Sequence, residues 1–93
     1  MTYYVYLIVS NYKNKNISYV GYTKNLKKRL ELHNTSKGAK FTRGRKWKLV
    51  YSKRYLSKSI AMREEYKLKK NIKLRNKIKL KFKKNENFNI TPL

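Results

Sequence analysis

Two apolar segments near the N-terminus predict a β-hairpin. Tyr3 to Ser10 is rich in β-branched and aromatic residues, and its unbroken apolar character indicates a strand that is buried on both faces. The polar segment from Asn11 to Asn16 has the length of a hairpin connection. Ile17 to Thr23 then resumes strand character around Gly21, and a glycine within a strand often marks a bulge or a close approach of backbone or ligand. We therefore expect the two strands to pair in antiparallel fashion.

The pattern changes to a helical period after the hairpin. Leu26 to His33 is predicted to form a helix, and either Thr23 or Asn25 can cap its first turn. The helix should end within Asn34 to Gly38, and a basic loop follows from Gly38 to Lys46.

A third strand and a second helix complete the regular part of the chain. Trp47 to Leu56 is predicted to be a strand, and Ser57 or Ser59 can cap a helix that runs to about Lys70. No internal repeat or flexible linker divides the sequence. A chain of 93 residues is long enough for one compact domain but not for two.

The C-terminal stretch gives two conflicting signals. Its apolar residues alternate with polar ones, which favours a strand, whereas its content of Lys, Arg and Leu favours a helix. The alternating residues are Ile72, Leu74, Ile78, Leu80 and Phe82. Residues 85–93 are polar and contain the only proline, so we expect a flexible C-terminal tail after a single domain of residues 1–84.

The charge of the chain indicates what it binds. There are 26 lysines and arginines against four glutamates and no aspartate, a formal net charge of +22. So much positive charge destabilises a compact state by self-repulsion unless a polyanion shares it. Phosphate backbones release counterions when they bind such a surface. Nucleic acid is therefore the expected partner, with an anionic membrane surface as the alternative.

Other features of the composition exclude several kinds of site. The absence of cysteine excludes disulfides, thiolate metal sites and cysteine nucleophiles. The N-terminal apolar run lacks a preceding basic region and a small-residue cleavage site, and it is far too short to span a bilayer. We expect a cytoplasmic protein without a membrane partner.

Arg29 and His33 lie at the edge of the apolar face of the first helix. Leu26 and Leu30 define that face, and His33 falls within roughly 20° of Leu26 at the helical period. Arg29 and His33 are four residues apart, so their side chains are neighbours. Two ionisable groups in this position need a partner there. Alternatively, Arg29 extends along the apolar surface to solvent and His33 is a hydrogen-bonded core histidine.

The second helix carries two of the four acidic residues. Glu64 and Glu65 bracket the centre of an apolar face that includes Ala61 and Leu68. A carboxylate in this place can be a buried ion-pair partner or a ligand for a hard cation. The periodicity does not choose between the two residues or between the two roles.

Tyr6 and Tyr19 lie one on each strand of the predicted hairpin. Cross-strand packing is the ordinary role of tyrosine in a sheet. A phenol can instead hydrogen-bond an attacking water or a phosphate oxygen, or act as a base if its pKa is lowered.

The hairpin sequence resembles the motifs that name the GIY-YIG nuclease family. Tyr4-Val5-Tyr6, followed by Tyr19-Val20-Gly21, resembles the two tripeptides of that name, with Tyr4 in place of the first glycine. The segment from Arg29 to His33 resembles the family's Arg-x-x-x-His helix. His33 to Arg45 is similar to the loop of the small stand-alone bacterial members.

The second helix extends this resemblance. Ser59 to Lys69 is similar to the family's second helix, in which an acid follows an alanine by four positions. That register selects Glu65 over Glu64. The resemblance covers residues 3–80. Within the family, the chain is also similar to the catalytic domain of the excision-repair incision subunit.

The resemblance implies both a fold and an activity. The fold is α/β (α+β), a three-stranded antiparallel sheet flanked by helices, with a helical C-terminal stretch. The activity is that of an endonuclease that hydrolyses DNA phosphodiester bonds through one divalent cation, Mg²⁺ or Mn²⁺, in a setting such as DNA repair. Because family members are usually guided by an additional domain, a protein partner is expected to supply specificity.

The resemblance also assigns roles to individual residues. The implied catalytic residues are Tyr6, Tyr19, Arg29, His33 and Glu65. Glu65 would hold the metal ion, and Arg29 would clamp a phosphate. Tyr6 would position or deprotonate the attacking water, while Tyr19 and His33 orient it or relay a proton.

Further residues are implied to contact the nucleic acid. Gly21 would let the substrate come near the backbone. Phe41 would stack on a base or else pack in the core. The implied phosphate contacts of the basic loop are Lys40, Thr42, Arg43, Arg45 and Lys46.

Two other functions compete with the nuclease. One is a non-catalytic protein of the same fold that binds structured DNA or RNA. The other is a basic interaction protein, such as a ribosome-associated or membrane-surface peptide, which would be helical throughout. The tyrosine-rich hairpin speaks against the second of these.

Overall fold

The chain folds into one small sheet with helices on both faces. The computed structural model describes residues 2–12 and 15–90, and within them it has three strands, three α-helices and a 3₁₀ turn. In chain order these are β1 (Tyr3–Tyr12), β2 (Lys15–Thr23), α1 (Leu26–Asn34), the 3₁₀ turn (Lys40–Thr42), β3 (Lys48–Tyr55), α2 (Lys58–Lys70) and α3 (Ile72–Ile90). The predicted fold class, a three-stranded antiparallel sheet flanked by helices, is confirmed.

The first strand lies in the middle of the sheet. The strand order is β2-β1-β3, and both pairings are antiparallel. A central strand with helices on both sides has no solvent-facing side, which explains its unbroken apolar sequence. Val5, Tyr6, Leu7 and Ile8 are all buried, so the prediction of burial on both faces is confirmed.

One face of the sheet packs against α2. Val5 and Leu7 of β1 and Val20 of β2 form a core cluster with Ala61 and Leu68 of α2. The same cluster receives Ile78 of α3 at its margin. Side chains alternate between the faces of a strand, so the residues between these point to the other side of the sheet.

The opposite face of the sheet packs against α1. Tyr6 and Ile8 form a second cluster with Trp47, and Leu26 and Leu30 of α1 cover it. These two leucines are the ones that the helical period assigned to the buried face, so that prediction is confirmed. The register places Tyr6 opposite Gly21 and Ile8 opposite Tyr19, which brings both motif tyrosines to this face.

The helix starts are fixed by side-chain caps. The Asn25 side chain accepts a hydrogen bond from Lys28 N at 3.0 Å, and Ser57 Oγ accepts one from Ile60 N at 3.2 Å. Of the alternatives that the sequence left open, Asn25 and Ser57 are therefore the N-caps.

The hairpin connection is shorter than its sequence suggested. The strands extend to Tyr12 and resume at Lys15, so most of the segment from Asn11 to Asn16 is strand. Residues 13 and 14 lie outside the described residues. The β1–β2 register also runs through Gly21 without a shift, so this glycine does not mark a bulge.

The C-terminal stretch is helical, and the alternation that favoured a strand was misleading. Asn71 ends α2 and its side chain accepts a hydrogen bond from Leu74 N at 3.0 Å, so it caps a new helix. The alternating residues do not form a buried face, because Ile72 and Leu80 are 61% and 69% exposed. Helix propensity and the cap therefore outweigh the alternation. Helix α3 continues to Ile90, past residue 85 where we expected a tail; the flexibility of that tail stays a prediction.

No helix within the described residues has the length and apolar character needed to cross a bilayer.

Leu7 should be a main determinant of stability, since it is fully buried in the middle strand. We expect Leu7→Ala to lower the free energy of unfolding by about 3 kcal/mol, because it removes a buried side chain and leaves a cavity. Leu56→Ala is the matched control, since Leu56 is 76% exposed. Urea denaturation followed by circular dichroism measures both. Equal effects of the two substitutions would contradict this account of the core.

Candidate active site

Tyr6 and His33 share a hydrogen bond at the centre of the α1 face. Tyr6 comes from β1 and His33 from the last turn of α1, and the two residues are 2% and 0% exposed. The Tyr6 hydroxyl lies 2.8 Å from His33 Nε2. The second ring nitrogen of His33, Nδ1, lies 2.8 Å from Thr42 Oγ1. Both nitrogens of this buried ring therefore have partners.

Thr42 fixes which nitrogen of His33 carries the proton. The Thr42 hydroxyl donates to the carbonyl oxygen of Ala39 at 2.8 Å. A hydroxyl has only one hydrogen, so we assign Oγ1 as the acceptor for the Nδ1–H of His33. Nε2 then has a lone pair and accepts the hydrogen of the Tyr6 hydroxyl. The hydrogen bonds thus run in one direction, from Tyr6 through His33 and Thr42 to a backbone carbonyl.

The surroundings keep both members of the central pair neutral. Burial lowers the pKa of His33 to about 4, and the positive charge of Arg29 acts in the same direction. Burial raises the pKa of Tyr6, which outweighs the hydrogen bond and charge of Arg29 that lower it. At neutral pH the pair is therefore a phenol and an uncharged imidazole, the two states that their hydrogen bond requires.

Arg29 contacts the same hydroxyl as His33. Its Nε donates to the Tyr6 hydroxyl oxygen at 3.4 Å, one helical turn before His33. The side chain is half-buried, and among the side chains that the structure describes no carboxylate pairs with it. The structure thus brings together three of the predicted site residues, and Arg29 contacts a partner rather than only extending to solvent.

Two glycines allow the central pair to pack this closely. A Cβ atom on Gly21 would lie 2.7 Å from Cζ of Tyr6, and one on Gly38 would lie 3.0 Å from Cε1 of His33. The first distance is shorter than real Cβ contacts, and the Cβ on Gly38 would come closer still to Nδ1 of the His33 ring. Gly21 therefore makes room for the Tyr6 ring, which corrects our expectation that it makes room for substrate.

The loop that carries Thr42 is fixed by residues that the sequence did not single out. Asn34 Nδ2 donates to the carbonyl oxygen of Trp47 at 3.1 Å, and the Trp47 backbone N–H donates to Asn34 Oδ1. The indole Nε1–H of Trp47 donates to the carbonyl oxygen of Thr42 at 2.9 Å. The end of α1, the start of β3 and the 3₁₀ turn are thereby joined around His33. The only sequence feature that pointed to Asn34 as part of the site was its position directly after His33.

Tyr19 lies on the outer side of His33. The two ring centroids are 5.2 Å apart, and the planes are inclined by 60°. Phe41 stacks beyond Tyr19 at 6.1 Å with an angle of 21°, and it is 53% exposed. Phe41 also contacts Trp47 at 6.3 Å. Its ring is therefore anchored on one side and accessible on another.

Glu65 lies on α2 and makes no hydrogen bond or ion pair with Tyr6, Tyr19, Arg29 or His33 among the described residues, and its charge is the smallest of the contributions to the pKa of Tyr6. Burial is the main cause of the raised pKa of Tyr6, and the charges of Tyr19 and Glu65 add to it. Burial likewise raises the pKa of Tyr55, and there Tyr51 and Glu64 add to it. The two neighbouring carboxylates thus act on different tyrosines, and the one that acts on Tyr6 is Glu65.

The ion pairs of the two glutamates also differ. Glu64 pairs with Lys67 at 3.3 Å and with Arg63 at 3.7 Å on the helix surface. Glu65 is the less exposed of the two and pairs with Lys69 Nζ at 3.4 Å. The described residues contain no group of three or more His, Cys, Asp or Glu side chains that could hold a metal ion. A cation at Glu65 would therefore have at most one further ligand from such side chains within the described residues.

The basic loop contributes exposed cations, but not all of its predicted contacts. Lys40, Arg43 and Lys46 are exposed, and the Arg45 guanidinium lies 5.7 Å from the centroid of Phe41. Thr42 is fully buried and bonded to His33, so our expectation that it contacts nucleic acid was wrong. Its place in the loop suggested a surface residue, whereas the 3₁₀ turn points it inward.

A comparison with known families shows to which family the chain belongs. The family model of the GIY-YIG catalytic domain matches residues 2–86. The chain belongs to the GIY-YIG family. The resemblance drawn from the sequence is thereby confirmed, and membership in this nuclease family implies that the protein binds nucleic acid.

Several relatives of this GIY-YIG protein carry the name UPF0213. One from Oceanobacillus iheyensis is 54% identical over 52 residues, which cover 55% of this chain and 60% of that protein. One from Staphylococcus haemolyticus is 45% identical over 67 residues, which cover 71% of this chain and 78% of that protein. A UPF0213 protein from Bacillus halodurans, solved by NMR in solution, is 35% identical and covers 100% of this chain and 97% of its own, with a TM-score of 0.48.

The titration of His33 tests the buried hydrogen-bond chain directly, because it is the only histidine of the protein. We expect its ring to remain neutral down to a pKa of about 4 and to carry its proton on Nδ1. NMR of ¹⁵N-labelled histidine measures both. A pKa near the ordinary 6.5, or a proton on Nε2 at neutral pH, would contradict the assignment.

The same shift predicts how stability depends on pH. The unfolded chain takes up a proton on this residue near pH 6.5, but the folded chain does so only near pH 4. The contribution of His33 to the free energy of unfolding is therefore fully present above pH 6.5 and declines as the pH falls to about 4. The decline is at most about 1.4 kcal/mol per pH unit. A His33→Gln variant should lack this component in urea titrations.

Proposed function

We propose that the protein is an endonuclease that hydrolyses DNA phosphodiester bonds with the help of one divalent cation. The observation that carries this proposal is the position of the Tyr6 hydroxyl, which contacts both a neutral acceptor on His33 and a cationic donor on Arg29. A hydroxyl placed in this way can accept a proton from water while it passes its own proton on.

The proton would follow the hydrogen bonds already present. The attacking water gives a proton to the Tyr6 oxygen, and Tyr6 gives its own proton to Nε2 of His33, which becomes an imidazolium. The water oxygen forms the new bond to phosphorus, and the bond to the leaving oxygen breaks. The leaving oxygen takes a proton from solvent, and His33 later returns its proton to solvent. The low pKa of His33 opposes this proton transfer. Burial and the charge of Arg29 are the two causes of that low pKa. A phosphate bound to Arg29 would offset that charge and raise the proton affinity of His33.

Arg29 would bind the phosphate that is attacked. Its guanidinium presents several N–H donors in a plane, which matches the oxygens of a phosphate. The Arg29 Nε lies 3.4 Å from the Tyr6 hydroxyl, so a phosphate on Arg29 would lie close to that hydroxyl. This proximity is what in-line attack by a water on Tyr6 requires.

Glu65 fits the role of ligand for a single hard cation. Mg²⁺ commonly keeps several waters and takes one or two carboxylates together with phosphate oxygens, so a lone carboxylate is sufficient. Such an ion supplies stabilisation of the negative charge on the phosphate and on the leaving oxygen. In the protein without a bound cation, Lys69 forms an ion pair with the Glu65 carboxylate. That ion pair would have to break before Glu65 could bind the cation.

The charge of the whole chain favours nucleic acid as the substrate. A net charge of +22 and the exposed Lys40, Arg43 and Lys46 beside the site would bind phosphates on either side of the cut. Such contacts position a strand without reading its sequence. A protein partner that directs cleavage, and a role in DNA repair, belong to the same proposal. Binding to structured DNA or RNA without cleavage is the competing function.

Nicking of supercoiled plasmid tests the catalytic role of Glu65. The wild type should nick DNA in Mg²⁺ or Mn²⁺ and not in EDTA. Glu65→Gln should slow nicking by roughly 100-fold or more, because it removes the carboxylate that would hold the cation. Without the cation the transition state loses its charge stabilisation. Arg29→Ala should have a similar effect. Binding measured by fluorescence anisotropy in EDTA should change little for Glu65→Gln.

Glu64→Gln is the matched control for this experiment. It makes the same chemical change one residue away, on a carboxylate that pairs with Lys67 and Arg63 instead. We expect it to nick at a rate close to that of the wild type. Equal rates for Glu64→Gln and Glu65→Gln, or no nicking by the wild type on any duplex, forked or single-stranded substrate, would overturn the proposal and favour the non-catalytic binding protein.

A further inference from the structure

A solvent-open cleft runs along the outer edge of β2. Its volume is about 270 Å³. The cleft reaches both faces of the strand, because Tyr19 points to the α1 side and Val20 to the α2 side. Its lining residues are Ser18, Tyr19, Val20, Phe41, Lys69 and Arg75.

Arg75 gives the cleft an incompletely satisfied cation. Its Nη1 donates to the Ser18 hydroxyl at 3.4 Å, a long contact. Its Nε is buried and has no hydrogen-bond partner among the residues that the structure describes. The described carboxylates of α2 pair elsewhere, Glu64 with Lys67 and Glu65 with Lys69. Arg75 as a whole is only partly buried and lines the cleft, so its guanidinium can donate to an anion there.

The opposite wall of the cleft is aromatic. Tyr19 and Phe41 stack on each other, and about half of the Phe41 surface is exposed. An exposed aromatic ring next to a cationic groove is the combination that binds bases and phosphates of a single strand.

The cleft adjoins the candidate active site at two points. Tyr19 contacts the ring of His33, with centroids 5.2 Å apart. Lys69 pairs with Glu65, whose charge acts on Tyr6. A strand whose phosphate lies on Arg29 would therefore continue into this cleft with its neighbouring nucleotide.

We propose that the β2-edge cleft binds one unstacked nucleotide next to the cleaved phosphate, with Arg75 on its phosphate and Phe41 against its base. The proposal rests on the proposed nuclease function for the identity of the strand. A base within a duplex has both faces covered by its neighbours, so only an unpaired or extruded base can lie against Phe41. The cleft thus selects strands that are single or locally open at the cut.

Binding of a short fluorescent oligothymidine in EDTA tests this cleft without any cleavage. Arg75→Gln should weaken binding by roughly tenfold, because it removes a charged hydrogen-bond donor. Phe41→Leu should weaken it by about fivefold to tenfold, because it removes a stacking surface. A blunt hairpin duplex should lose much less affinity with Phe41→Leu than oligothymidine does.

Arg54→Gln is the matched control for Arg75→Gln. Arg54 is exposed on β3, at the opposite edge of the sheet, and the substitution removes the same charge. We expect its effect on oligothymidine binding to stay within about twofold. Equal losses for Arg54→Gln and Arg75→Gln, or equal losses of duplex and single-strand binding for Phe41→Leu, would overturn the cleft.

The outcomes for the cleft and for the nuclease are separable. If neither the wild type nor any variant nicks DNA, but Arg75→Gln alone weakens oligothymidine binding, the cleft proposal is supported and the nuclease proposal is contradicted. If the wild type nicks DNA and Arg75→Gln binds oligothymidine as tightly as Arg54→Gln does, the nuclease proposal is supported and the cleft proposal is contradicted.

Discussion

The arrangement of the whole α1 face depends on one buried imidazole that has a hydrogen-bond partner at each nitrogen. A fully buried His33 is tolerable only if it stays neutral and both nitrogens are satisfied. Thr42 accepts from one nitrogen and Tyr6 donates to the other, so each partner determines the state of the next. The protonation state that stabilises the fold is also the one that leaves Nε2 able to accept a proton.

This requirement explains features that would otherwise look unrelated. Gly21 and Gly38 lack side chains because the rings of Tyr6 and His33 occupy the space. Asn34 and Trp47 fix the loop so that Thr42 points inward. A loop that carries several lysines and arginines would repel itself, and these bonds hold its ends together. Structural residues and candidate catalytic residues are therefore parts of the same network.

The sheet determines which groups can meet. Its central strand carries Tyr6 toward α1, while α2, which carries Glu65, packs on the other face. Among the described strands nothing pairs with the outer edge of β2. The open cleft lies at this edge, and its lining residue Lys69 pairs with Glu65. An exposed edge strand is ordinarily a liability, and here it borders the place where a nucleic-acid strand would bind.

Much of this could be predicted from the sequence, and what could not has a physical reason. The hairpin and the leucine face of α1 followed from periodicity, whereas the choice of Glu65, which followed from the family motifs, stays a prediction. Periodicity shows which face a side chain occupies, but not which polar atoms meet across elements. Thr42 was therefore placed on the surface, and the roles of Asn34, Trp47 and Arg75 were missed. The alternation in α3 misled because a regular pattern of apolar residues does not guarantee that they are buried.

Tyr6 and Thr42 have no hydrogen bond to each other, so any coupling between them must pass through His33. A double-mutant cycle of Tyr6→Phe and Thr42→Val, measured as free energies of unfolding in urea, tests this most directly. We predict that the double substitution costs less than the sum of the single ones by about 1 kcal/mol, because a ring that has lost one partner no longer gains fully from the other. Additive effects, within about 0.3–0.5 kcal/mol, would contradict the account.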